Sequence, residues 1–166
     1  MSDTSSGYLD AAATAPLRPE ARAAMLAAWD AGQANASSVH AAGARARAAV
    51  ERARAQIAVA LGARPAEVLF TSGGTEANAL AVTGLALARP RGKHLVVSAI
   101  EHSSVLESAR FLERVFGFEL TVVPVDARGR VHPAAVDAAL RDDTTLLSIG
   151  LANGEIGTVQ PIQEIA

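Results

Sequence analysis

The sequence predicts an α/β fold, a mostly parallel sheet with helices on both faces. Three β-branched and aliphatic runs, residues 93–100, 118–125 and 144–151, have the unbroken apolar character of strands buried on both sides. Helical patterns at residues 105–115 and 133–140 lie between them. Strands that alternate with helices in this way read as successive βαβ units.

The remaining elements follow in order. Residues 1–7 read as a disordered start. Residues 19–30 form an amphipathic helix in which Met25, Leu26 and Trp29 are expected to pack. Residues 32–38 are a polar loop, and an alanine- and arginine-rich helix then runs over 41–61, with Gly62 suited to its C-cap. Residues 67–70 read as a short buried strand. The small-residue turn Thr71-Ser-Gly-Gly-Thr-Glu-Ala-Asn78 follows, and Ala77, Leu80, Ala81, Leu85 and Leu87 then set a helical spacing towards Arg89. Asp126-Ala-Arg-Gly129 is a turn, and Pro161 opens a last helix that has run about one turn by Ala166. With no internal repeat and no evident linker, the chain reads as one domain or most of one. A one-turn helix does not stand alone, because nucleation is its costly step, so an incomplete polypeptide is expected.

The turn at 71–78 carries the first functional signal. A strand, a small-residue turn and a helix start make an anion site, since the first helical amides have no intrahelical acceptor and the helix dipole is positive there. Gly73 and Gly74 allow close approach of a phosphate, and the Thr75 hydroxyl adds a donor. Glu76 is explained by the dipole. The same turn taken alone reads equally as a tight turn with a capped helix. Position adds to it. Gly74 and Thr75, His102 and Asn153 each fall just past the carboxyl end of an expected strand, where open parallel sheets bind ligands.

Composition narrows the classes. The formal net charge is -2, which leaves no electrostatic footprint for nucleic acid or an anionic membrane. Arg45, Arg47, Arg52 and Arg54 alternate with alanine beside Glu51 and read as a solvated helix face. Without cysteine there is no disulfide framework or thiolate metal site, and no histidine or carboxylate set has metal-ligand spacing. His94 and His132 read as structural or surface residues, and His40 as a structural contact. No apolar run reaches membrane-spanning length and the first residues lack a secretory pattern, so the expectation is a cytoplasmic protein.

Motifs spread over nearly the whole chain resemble the N-terminal part of a cysteine desulfurase, of the class V aminotransferase group with the type I pyridoxal-phosphate fold. They are Tyr8-Leu-Asp-Ala-Ala-Ala-Thr-Ala-Pro16, Asn35-Ala-Ser-Ser-Val-His40 with Gly43, Phe70 to Asn78, Glu101-His102, and Asn153-Gly-Glu-Ile-Gly-Thr-Val-Gln160. The resemblance implies that Gly74 and Thr75 hold the phosphate of pyridoxal 5'-phosphate. It implies that His102 stacks on the pyridine ring and takes part in proton transfer, and that Asn153 hydrogen-bonds the ring hydroxyl. It implies an L-cysteine substrate, a homodimer, and a sulfur acceptor or iron–sulfur scaffold as partner. It also implies that residues 1–15 pack with a small domain absent from this chain, and that 16–166 are a partial cofactor-binding large domain. Ala11, Ala36 and Gly154 depart from the residues usual in the group, Asn, Pro and Asn. A selenocysteine lyase, a class V aminotransferase or a non-catalytic fragment remain as alternatives.

Two residues that the resemblance demands are missing. The chain has one lysine, Lys93, at the wrong end of its expected strand to hold the cofactor, and it has no cysteine to receive sulfur. In the family both follow later in the chain, so these residues alone are expected to be inactive.

Overall fold

The computed structural model describes residues 7–32, 34–88 and 90–166. The expected disordered start, apart from Gly7, lies outside the described residues, as does Arg89 at the end of the third helical pattern. The chain forms two compact units, Met1–Phe70 and Thr71–Ala166.

In the first unit α1 spans Pro19–Asp30 and opens with proline in its first turn. None of its residues is buried, and Met25, Leu26 and Trp29, expected to pack, are exposed. The second helix, α2, spans Ala41–Leu61. His40 caps its start, with Nδ1 accepting from the Gly43 amide at 3.2 Å. Gly62 ends it in the left-handed conformation (φ 63°), and the Ala63 and Gly62 amides donate back to the Ala58 and Val59 carbonyls, which satisfies two of the last-turn acceptors. Gly43 is required by close approach, because a Cβ there would collide with the backbone of Asn35 and Ser38. The segment from Asn35 to Gly43 is therefore a helix-start device.

Residues 67–70 do not form the expected strand. Pro65–Glu67 is a 3-10 turn, closed by the Glu67 carboxylate, which accepts from the Arg64 amide at 2.8 Å and from its guanidinium. Val68 is buried, but Leu69 and Phe70 are exposed. An apolar run becomes a strand only where another strand supplies hydrogen-bond partners, and none of the described strands pairs with it.

The second unit contains the sheet. Its elements are α3 (Gly74–Ala88), β1 (His94–Ser98), α4 (Ser103–Phe116), β2 (Glu119–Val123), α5 (Pro133–Ala139), β3 (Thr144–Ser148) and α6 (Ile162–Ile165). The strand order is β2-β1-β3, with both pairings parallel. Every residue of the central strand β1 is buried. Its alternation sends Leu95 and Val97 to one face, against Val82 and Ala86 of α3 and Val105, Ala109 and Leu112 of α4. Val96 goes to the other face, with Val123, Val131, Val136 of α5 and Ile165 of α6. Both faces are thus covered, as the α/β pattern requires. Each fully buried aliphatic side chain stabilises the fold by roughly 1.5–3 kcal/mol.

The strands are each five residues long, shorter than the apolar runs that announce them. After Ser98 the chain turns, and the Ser98 hydroxyl donates to Glu101 Oε1 at 2.8 Å. Gly117, left-handed at φ 68°, ends α4. Lys93 Nζ donates to the Phe116 carbonyl at 2.8 Å, a cation on the negative end of a helix. The turn 126–129 forms as expected. Asp126 Oδ1 accepts from the amides of Arg128 and Arg130 at 2.8 and 2.9 Å, which holds its carboxyl below the ordinary range.

Candidate functional site

The start of α3 is an open set of donors. The Gly73 carbonyl accepts the first helical bond, from the Ala77 amide at 3.0 Å. The amides of Gly74, Thr75 and Glu76 and the Thr75 hydroxyl have no acceptor among the described residues. Gly73 and Gly74 are exposed, and a Cβ at either would meet nothing. The Glu76 carboxylate turns back on Ser72, accepting from its amide and hydroxyl at 2.6 Å each. Donation from the Ser72 hydroxyl, and then from its amide, keeps that carboxyl below its ordinary value. Three adjacent amides and a hydroxyl, all donors and all unspent, fit a phosphate group.

This helix start reaches the carboxyl edge of the sheet without the expected preceding strand. Asn78, in the second turn of α3, donates from Nδ2 to Ser104 Oγ in the first turn of α4 at 2.8 Å. Helix α4 begins directly after the loop that leaves β1. Its N-cap is His102, whose Nδ1 accepts from the Ser104 amide at 3.1 Å and lies 2.7 Å from Ser104 Oγ. The ring is exposed, and Nε2 has no partner among the described residues.

Asn153 is set in the loop after β3 by its own side chain. Its Oδ1 accepts from the amides of Glu155 and Ile156 at 2.9 and 3.0 Å. Its Nδ2 donates to the Ile100 carbonyl at 3.0 Å. The amide orientation is thereby fixed, and one Nδ2 proton is left to offer. Asn153 thus ties its loop to the loop that carries His102, and all the residues expected from the sequence except the first strand are brought to one sheet edge.

Two residues that stand in the quoted motifs with no role assigned hold this edge together. Glu101 Oε1 accepts from the Ser98 hydroxyl and from the Gly150 amide at 2.6 Å, joining the ends of β1 and β3. Gln160 is buried, with Oε1 accepting from the Val131 amide at 2.8 Å and Nε2 donating to the Gly129 carbonyl at 2.7 Å. A carboxylate directly after a strand run, and a glutamine closing the motif that begins at Asn153, were the available signals.

The other two histidines, His94 and His132, are a buried and a surface residue. His94 is fully buried between Thr144 Oγ1 and Thr121 Oγ1, each 2.8 Å from a ring nitrogen. His132 precedes α5 and lies 3.8 Å from Asp126. At the opposite end of the sheet, Ala86, Leu87, Phe116 and Phe118 line a cavity of about 320 Å³. Lys93 borders it, with its ammonium spent on the Phe116 carbonyl.

The aminotransferase class-V family model matches residues 7–166. The chain is 50% identical over 160 residues to the cysteine desulfurase IscS of Dictyoglomus turgidum, covering 96% of this chain and 40% of that protein. It is 45% identical over 165 residues to the IscS-like cysteine desulfurase of Mycobacterium tuberculosis, covering 96% and 42%. Among solved structures it resembles SspA in complex with cysteine, with a TM-score of 0.86 and 40% identity, over 95% of this chain and 46% of that one. A NifS-like protein gives the same TM-score at 33% identity, over 93% and 42%. The chain spans about two fifths of the length of the curated relatives it matches. No helix among the described residues is long and apolar enough to cross a membrane.

Proposed function

Because the chain belongs to the class-V aminotransferase family, we propose that the native polypeptide carrying it is a pyridoxal-phosphate-dependent cysteine desulfurase. One observation carries the cofactor reading: unspent donors at the start of α3 share a sheet edge with His102 and Asn153. Similarity to cysteine desulfurases along nearly all of the chain supports the substrate.

In this reading the amides of Gly74, Thr75 and Glu76 and the Thr75 hydroxyl hold the phosphate. His102 presents its ring to the pyridine and serves the proton movements. Asn153 offers its remaining Nδ2 proton to the ring oxygen, a donation that its fixed amide allows. The cofactor, when bound, supplies an electron sink for bonds broken at the substrate. In the net reaction the C–S bond of L-cysteine breaks, the sulfur joins a protein thiol as a persulfide, and L-alanine leaves. Lys93 cannot hold the cofactor, since the whole of β1 separates it from the loop bearing His102, and the chain has no cysteine. The reading therefore requires a lysine and a thiol from beyond Ala166.

A homodimer, a sulfur acceptor such as an iron–sulfur scaffold, and a cytoplasmic setting belong to the same proposal. So does the division into residues 1–15, packing with a small domain, and 16–166, part of the large one. The test is to incubate the native polypeptide with L-cysteine and assay alanine and sulfide. Equal release of alanine and reducible sulfur is expected. Amino transfer to a keto acid without sulfide would refute the desulfurase.

A further inference from the structure

The polar contacts around His102 determine more than its position. A backbone amide can only donate, so the 3.1 Å contact from the Ser104 amide makes Nδ1 an acceptor. Nδ1 therefore carries a lone pair, and the neutral ring bears its proton on Nε2. The Ser104 hydroxyl is biased in the same direction. Its oxygen accepts from Asn78 Nδ2 at 2.8 Å, which leaves its own proton for Nδ1 at 2.7 Å. Ser104 is buried and Asn78 half-buried, so water competes poorly for either contact.

We infer that Asn78 and Ser104 are positioning residues that hold His102 as the neutral Nε2–H tautomer, so that its free nitrogen meets the bound cofactor or substrate as a hydrogen-bond donor. The chain of donation runs from the Asn78 amide to the Ser104 oxygen, and from the Ser104 proton to Nδ1. It crosses from α3, whose first turn holds the unspent amides, to α4, whose cap is the histidine. The helix that offers the unspent amides thus also contributes, through Asn78, to the contacts that set the His102 tautomer. This inference rests on the proposed role of His102 only for its consequence in turnover. The tautomer itself follows from contacts within the chain.

The test uses the native polypeptide labelled with ¹⁵N-histidine. Imidazole nitrogen shifts report the tautomer without cofactor, and turnover of L-cysteine is measured in parallel. His102 is expected as Nε2–H, with a pyridine-type shift at Nδ1. Ser104→Ala removes one of two donors to Nδ1 and should lower the ratio of Nε2–H to Nδ1–H about two- to tenfold, the equivalent of one ordinary hydrogen bond. Ser104→Thr keeps the hydroxyl and should restore the ratio. Asn78→Asp places an acceptor where a donor stood, draws the Ser104 proton away, and should shift the ratio in the same direction as Ser104→Ala. A wild-type ring in the Nδ1–H form, or a ratio indifferent to all three substitutions, overturns the inference. A ratio that shifts while kcat and KM stay constant leaves the tautomer assignment standing and removes His102 from the proposed chemistry.

Discussion

The two ends of the β2-β1-β3 sheet are both crowded with polar side chains, yet they differ in what those groups have left to give. At the amino end, Arg141 is bound to Glu119 and Asp143. His94 spends both ring nitrogens on threonine hydroxyls, and Lys93 spends its ammonium on a helix carbonyl. At the carboxyl end, three amides, the Thr75 hydroxyl, the His102 Nε2 and one Asn153 proton find no partner among the described residues. A saturated cluster holds a fold together, whereas an unsaturated one on a rigid edge is able to hold something else. Polar density does not separate the two ends. Unspent hydrogen-bonding capacity does.

The largest expected effect tests the unsaturated end. Thr75→Val keeps the shape of the side chain and deletes its donor. Cofactor affinity of the native polypeptide, followed by absorbance titration, is expected to fall roughly ten- to a hundredfold, the worth of about 1.5–3 kcal/mol for a charge-assisted hydrogen bond. Unchanged affinity would place the phosphate elsewhere.

The saturated end should respond in stability and not in binding. His94→Leu leaves the Thr121 and Thr144 hydroxyls without their shared partner, and is expected to cost about 1–3 kcal/mol in urea unfolding. Acidity tests the same contact. Burial, and then the Arg141 guanidinium, press the His94 pKa below its ordinary value, against the opposing pull of Asp143 and Glu119. The unfolded chain thus takes up the proton first. The contribution of His94 is complete above the unfolded pKa of about 6.5 and is lost as the pH falls towards the lower folded value. His94→Leu should flatten the profile as the pH falls below the unfolded value of about 6.5, and an unchanged slope would show that His94 does not drive it.

The smallest effect is expected at Arg141. Its guanidinium is solvent-accessible, and hydrogen bonds to the carboxylates of Asp143 and then Glu119 raise its already high pKa. Exposed ion pairs add little to stability, so Arg141→Ala should leave the urea midpoint within experimental scatter. A large loss would show that this end depends on charge and not on the buried histidine.

The unsaturated end of this contrast was legible in the sequence, and the saturated end was not, because Arg141, Glu119 and Asp143 meet only in the folded chain. Helices α1 and α2 span the expected residues, with Gly62 capping α2 as read, and the α/β alternation marked which segments enter the sheet. His102 and Asn153 fall in loops after β1 and β3, as the strand-to-loop reading expects, whereas Gly74 and Thr75 open α3 with no strand before them. The misreadings share a cause. Apolar content marks where a strand is possible, but pairing decides where it exists, so residues 67–70 gave way to the turn at Pro65, and each eight-residue run yielded five residues of strand. Glu101 and Gln160 stand in the quoted motifs without a role, because their value lies in contacts with residues 49 and about 30 positions away, which no local pattern encodes. Exposure of Met25, Leu26 and Trp29 escaped notice for the converse reason, since periodicity shows an apolar face without showing what meets it.

Gln160 also sets an order of events. The pairing of β1 with β2 needs nothing beyond Val123 and closes a loop of modest length. Val131, fully buried, has a mate for its amide among the described residues only in the Gln160 side chain. As the chain grows from the ribosome, the β1–α4–β2 half can therefore settle early, while the segment around Val131 must wait for some thirty further residues to be made. One late glutamine acts as a latch on a half-built domain.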